Sequence, residues 1–211
     1  MLSNTAASAS NLMKRSSGFT LIELLVVISI IGILASLAIP AVLGGIARAQ
    51  MAGGLSNMKQ LHLTCMQMAL DGTTTGDATL GWPGNTNYTT FVTWRDAVVG
   101  TGGSSAYLSS NDFMKIMSVA GALVSTFPTA NNGGIHVCLA GDNDDGSVVV
   151  FNTKNITGSS TNWTMATNGT AALFGNRGFV VFRKGGDGSV YLPKQITNTT
   201  LVGTPATNTT W

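Results

Sequence analysis

The chain of 211 residues is short of charge: 11 Lys and Arg and 9 Asp and Glu amount to 9% of it, against 44% hydrophobic residues and a positive mean hydropathy. An average globular domain carries about 25% charged residues. So little charge speaks against the mixed, charged surface of a soluble cytosolic enzyme. A net charge of +2 cannot supply the basic stripe of a nucleic-acid binder, so no nucleic-acid partner is expected. Histidine is nearly as scarce. His62 and His136 are the only two, and neither has an adjacent acid or a metal-ligand spacing. No nucleophile elbow, P-loop or dinucleotide fingerprint is present either, so no enzyme is expected. Disorder is also disfavoured, because aliphatic and aromatic residues recur along the whole chain.

The hydrophobic excess is concentrated. Leu24 to Ala47 is a run of 24 residues without a formal charge, about 36 Å long as a helix, against a hydrocarbon core of about 30 Å. Lys14 and Arg15 precede it and Arg48 follows. The positive-inside tendency therefore places the N-terminal flank in the cytoplasm and the rest outside. Ala35-Ser36-Leu37-Ala38 offers small residues for a signal peptidase, but the apolar core exceeds the 7 to 15 residues expected of a signal peptide. Glutamate occurs once in the protein, as Glu23, at the head of this run. A carboxylate at membrane depth is costly unless paired and marks a functional site by default, whereas in the head-group zone its cost is small.

The stretch Lys14-Arg15-Ser16-Ser17-Gly18 followed by Phe19-Thr20-Leu21-Ile22-Glu23-Leu24-Leu25-Val26-Val27 resembles the processing site of type IV pilins and type II secretion pseudopilins. The resemblance implies cleavage between Gly18 and Phe19 by a prepilin peptidase, and N-methylation of Phe19 by the same peptidase/methyltransferase. It makes Glu23 the fifth residue of the processed chain, where the family carries its assembly acid, and Pro40 the helix-kinking proline. It also implies that Glu23 pairs with the Phe19 amine of a neighbouring subunit. Homopolymerisation and an inner-membrane assembly platform are the partners expected on this basis. The expected fold is α+β and pilin-like: a long N-terminal α-helix, membrane-spanning in its first half, packed on a C-terminal antiparallel β-sheet. The expected divisions are a leader at 1–18, a transmembrane and assembly helix at 19–47, its amphipathic continuation at 48–72, and a periplasmic α+β domain at 73–211.

Period and turn chemistry support the same order of elements. Leu55, Met58, Leu61, Cys65 and Met68 form one helical stripe, and Asp71-Gly72 with the following Thr73-Thr74-Thr75-Gly76 is predicted to end the helix. Ser110-Asn111-Asp112 predicts a capped short helix running towards Val124. Beyond Pro128, β-prone runs at 135–139, 147–151, 178–183 and 189–192 predict strands, with Gly185-Gly186-Asp187-Gly188 as a hairpin turn.

Cys65 and Cys138 are either two buried thiols or a disulfide formed in an oxidising compartment. A bond would close a loop of about 74 residues and contribute roughly 4 kcal/mol. Asp142-Asn143-Asp144-Asp145-Gly146 gathers three aspartates. It reads as a solvated turn, or, by resemblance to major pseudopilins, as a Ca²⁺ loop through Asp142, Asp144 and Asp145; its spacing fails the EF-hand pattern. No other cofactor is expected. Arg177 followed nine residues later by Asp187-Gly188 resembles a bacterial pseudopilin-like motif in which a His holds the Arg position. The expected function is a structural subunit of a periplasmic pseudopilus of type II secretion. A type IV pilin acting in adhesion, twitching or DNA uptake, or a membrane-anchored periplasmic binding domain that never polymerises, are the alternatives.

Overall fold

The apolar run and the amphipathic stripe are continuous in the computed structural model, which describes residues 18–100, 106–120, 126–130, 133–159, 162–166, 173–197 and 199–205. Helix α1 spans Leu21–Thr75 and runs on through Pro40. Contacts divide the chain into two units, 1–42 and 43–211. The first consists, among its described residues, of helix with its side chains exposed. The helix outlasts the predicted stop at Asp71-Gly72. The hydroxyl of Thr73 donates to the Leu70 carbonyl, and those of Thr74 and Thr75 donate to the Asp71 carbonyl, which satisfies last-turn acceptors.

In the second unit α1 buries one face, with Ala47, Met51, Met58, Leu61, Cys65 and Met68 as its apolar contacts. Helix α2, Phe91–Val99, was not anticipated; a reciprocal Thr90–Thr93 cap starts it and Gly100 ends it in the left-handed region. Helix α3 spans Ser110–Met117, with Ser109 rather than Ser110 as its cap. Its predicted extension towards Val124 enters residues 121–125, which lie outside the described ones.

Four strands, β1 Ile135–Val137, β2 Val149–Thr153, β5 Phe179–Arg183 and β6 Gly188–Tyr191, form an antiparallel sheet in the order β1-β2-β5-β6. The long helix packed on this sheet is the α+β pilin-like arrangement. Strand alternation gives the sheet two faces. Ile135, Val137, Phe151, Val180 and Phe182 share a core with α1, α2 and α3. Cys138, Val149, Phe179, Val181 and Tyr191 form a second core. The register shift between Val149 and Phe151 lets β2 serve both. The second core is closed by a hairpin that the sequence reading passed over, β3 Ile156–Ser159 paired with β4 Asn162–Met165, and by the short helix α4, Thr199–Val202. Trp163 of the hairpin donates its indole N–H to the Gly203 carbonyl at 3.0 Å.

The alternation sets the two cysteines apart, as two buried thiols rather than a disulfide. Cys65 and Cys138 are both free and buried, Cys65 in the helix-side core and Cys138 one residue past Val137, on the opposite face of the sheet. The Cys65 thiol meets the Trp94 side chain, and burial pushes its pKa up. Cys138 donates to Asn152 Oδ1 at 3.0 Å, and burial raises its thiol to about 12.

Candidate functional site

The candidate site begins where the helix begins. Gly18 and Phe19 precede the first turn, and Phe19 is 77% exposed. Thr20 and Glu23 cap the helix reciprocally. The Thr20 backbone N–H and hydroxyl donate to Glu23 Oε2 at 2.9 and 2.7 Å, while the Glu23 N–H donates to the Thr20 hydroxyl at 3.3 Å. This is a capping box, with the negative charge at the positive end of the helix dipole. Thr20 is the residue the sequence reading missed, although Thr-x-x-Glu ahead of an apolar run is its signature. Before any partner arrives, Glu23 already has two donors from its own cap.

Behind this cap, apolar side chains stand free in every direction. Leu21, Ile22, Leu34 and Leu37 are each more than 60% exposed. Such a surface cannot rest in water, and by length and composition the helix can cross a membrane. Phe19, Ile22, Val26 and Val27 line a shallow apolar groove with Glu23 at its edge. Lys14 and Arg15, which complete the processing motif, lie outside the described residues.

The three carboxylates of the aspartate loop turn to separate partners. Asp142 accepts from the Trp82 N–H at 3.3 Å and from Asn85 Nδ2 at 3.0 Å. Asp144 accepts from the Gly141 N–H at 2.8 Å, and Asp145 from the Ser147 N–H at 2.7 Å. The Asp142 and Asp144 carbonyls, which could have been oxygen ligands, accept instead from Lys184 Nζ at 2.6 and 2.8 Å. Among the described residues no group of three His, Cys, Asp or Glu converges to hold a metal. The carboxylates are dispersed because Asp144 and Asp145 each close their own turn while Asp142 ties the loop to the Trp82–Asn85 segment. The ring of Trp82 lies beside Lys184, and His62 Nε2 lies 2.8 Å from the Lys184 carbonyl, so loop, hairpin and helix are tied together.

Residues 13–39 match the prokaryotic N-terminal methylation motif. This covers the Gly18–Phe19 junction, the Thr20–Glu23 cap and most of the exposed apolar helix. The N-terminal segment is similar to that of type IV pilin-like proteins. Over 68 residues the chain is 44% identical to the type IV major fimbrial protein FimA of Dichelobacter nodosus, an alignment covering 32% of this chain and 44% of that one. The match thus spans less than half the length of that relative. No solved structure matches the chain. The motif implies processing by a prepilin peptidase and points to a structural role among pilin-like subunits.

Proposed function

We propose that the chain is cleaved between Gly18 and Phe19, held in the inner membrane by the first half of α1 with its C-terminal domain in the periplasm, and polymerised through that half into a filament. The observation that carries this reading is the methylation motif on a helix whose apolar residues are exposed all round. Lateral packing of such helices removes the same surface from water that the bilayer covers beforehand. Cleavage frees a cationic amine on Phe19, one turn from Glu23. A neighbour's amine then competes with the Thr20 donors for the carboxylate, and a charged donor in an apolar setting outweighs neutral ones. Glu23 and Phe19 thereby set the register of the incoming subunit, and Pro40 supplies flexibility within the packed helices. An inner-membrane assembly platform is the partner that extracts the subunit.

Two filaments fit this subunit. A type II secretion pseudopilus is the first reading, supported by the resemblance of the Lys14–Val27 segment to pseudopilin processing sites. A surface fimbria is the second, favoured by the likeness to a fimbrial protein. The test is the mass of the N-terminal peptide from host membranes, expected to start at methylated Phe19, with electron microscopy of cells carrying Glu23→Val. Processing is expected to persist and filaments to disappear in that variant. Normal filaments from Glu23→Val would remove the assembly role, and a cut near Ala38 would remove the filament reading. Filaments seen only on the cell surface would select the fimbria.

A further inference from the structure

One end of the second unit gathers cations without acids. Where the apolar run stops, Arg48 is exposed on α1 one turn after Gly44, hence on the same helix face. Gly44 lets another side chain approach: a Cβ there would lie 3.0 Å from Nη1 of Arg177, so the Arg177 guanidinium rests on the helix one turn from Arg48.

Arg177 is held there by its loop. Leu173 and Phe174 are buried in the helix-side core, and Phe174, Gly175 and Asn176 all take φ of 58°. Left-handed backbone at Phe and Asn is strained, of order 1 kcal/mol or more per residue, and persists where the surroundings fix it. The same end receives the close of β6. A Cβ at Gly178 would meet both the Tyr191 carbonyl and Met51 of α1, and the chain then continues into exposed Leu192 and Lys194.

The acids are elsewhere. Asp142, Asp144, Asp145 and Asp187 lie about the β5–β6 turn at the opposite end of the sheet. Asp71 and Asp77 lie at the far end of α1, and Asp96 and Asp112 pair with Arg95 and Lys115. Arg48, Arg177 and Lys194 make no ion pair with a described residue.

We propose that Arg48, Arg177 and Lys194, with Leu192 beside them, form a docking surface for anionic phospholipid head groups at the leaflet where α1 leaves the membrane. The ligand class follows from position and charge. The apolar run ends at Ala47, so these cations stand within a turn or so of the hydrocarbon boundary, the level of the head-group phosphates. Guanidinium forks suit phosphate oxygens, each cation near an anionic surface favours binding by about fivefold, and an apolar Leu192 can enter the interface. The surface holds this end of the domain against the bilayer until the subunit is extracted. It rests on the anchored orientation and does not depend on polymerisation.

The full chain reconstituted in vesicles of phosphatidylcholine, with or without about a third phosphatidylglycerol, tests this by hydrogen exchange. Amides of 173–178 and 192–195 are expected to exchange about fivefold or more slowly on the anionic vesicles. The slowing is expected to vanish in 0.5 M NaCl, on the order of a 4 Å Debye length, and in Arg48→Gln/Arg177→Gln. The fold of that variant is checked by unchanged exchange in β2 and β5. Equal exchange on both vesicle types, as an acidic protein partner would give, overturns the proposal, as does slowing that survives in the variant. Failure of the chain to float with vesicles overturns the anchoring reading and this proposal with it, whereas flotation with equal exchange overturns the proposal alone.

Discussion

Ile46 and Ala47 are neighbours on one helix, yet Ile46 is 48% exposed and Ala47 5%. Up to Leu43 every described residue of α1 is exposed; from Ala47 onward one face is buried and the other polar or half-covered. The same secondary structure is thus maintained by two different environments. In the first half, helix formation satisfies the backbone within the segment, as a bilayer demands. In the second half, burial of a stripe against α2, α3 and the sheet stabilises the helix. On the proposed function, roles divide along the same line, association falling to the exposed half and fold stability to the buried one.

Truncating a side chain on each side of the boundary sharpens the contrast most. Leu61→Ala, from a site with no exposure, is expected to cost the domain about 2–5 kcal/mol. Leu34→Ala, from the exposed half, is expected to change domain melting by no more than about 0.5 kcal/mol while weakening assembly. Thermal unfolding of the full chain in detergent reads both, and a large effect of Leu34→Ala on the domain would break the division.

Acid titration probes the domain side. Burial, reinforced by the nearby Lys154, lowers His136 to about 4 from its ordinary 6.5. The unfolded chain therefore takes up a proton that the folded one resists, and stability falls as pH drops from about 6.5 towards 4. His136→Gln is expected to flatten that slope. A slope unchanged by the substitution would assign it to the aspartates.

Smaller effects come from the loop and the thiols. Lys184→Met removes the ammonium that bridges two loop carbonyls, with an expected loss of about 1 kcal/mol and faster exchange over 141–147, leaving residues 21–46 untouched. Reductant is expected to change nothing. Intact mass should be the same before and after reduction, because each thiol is buried in a different core; a gain of two hydrogens would restore the disulfide.

What was legible in the sequence is what neighbours along the chain decide. The Gly18–Phe19 junction, the charge-free run after Glu23, the stripe from Leu55 to Met68 and the hairpin turn at 185–188 each rest on local chemistry or a single period. Local cues also carried information that went unread, in the Thr-x-x-Glu cap of α1 and the Thr90–Thr93 cap of α2. The strands were placed to within a few residues, but their faces were not. A period of two fixes which residues stand together on one strand, and only pairing with other strands fixes which side meets the helix.

That pairing put Cys138 on the side away from Cys65, covered the far face with β3–β4, and brought Arg177 to Gly44 across more than a hundred residues. It also gave the three aspartates separate partners, Asp142 the Trp82–Asn85 segment and Asp144 and Asp145 their own turns, with Lys184 on the Asp142 and Asp144 carbonyls. The sequence alone determined the methylation motif and the long apolar helix, because both are written in contiguous residues. Partner choice for Cys138, Asp142 and Arg177 was left to the tertiary structure, because distances between segments far apart in the chain exist only once the sheet has closed on the helix.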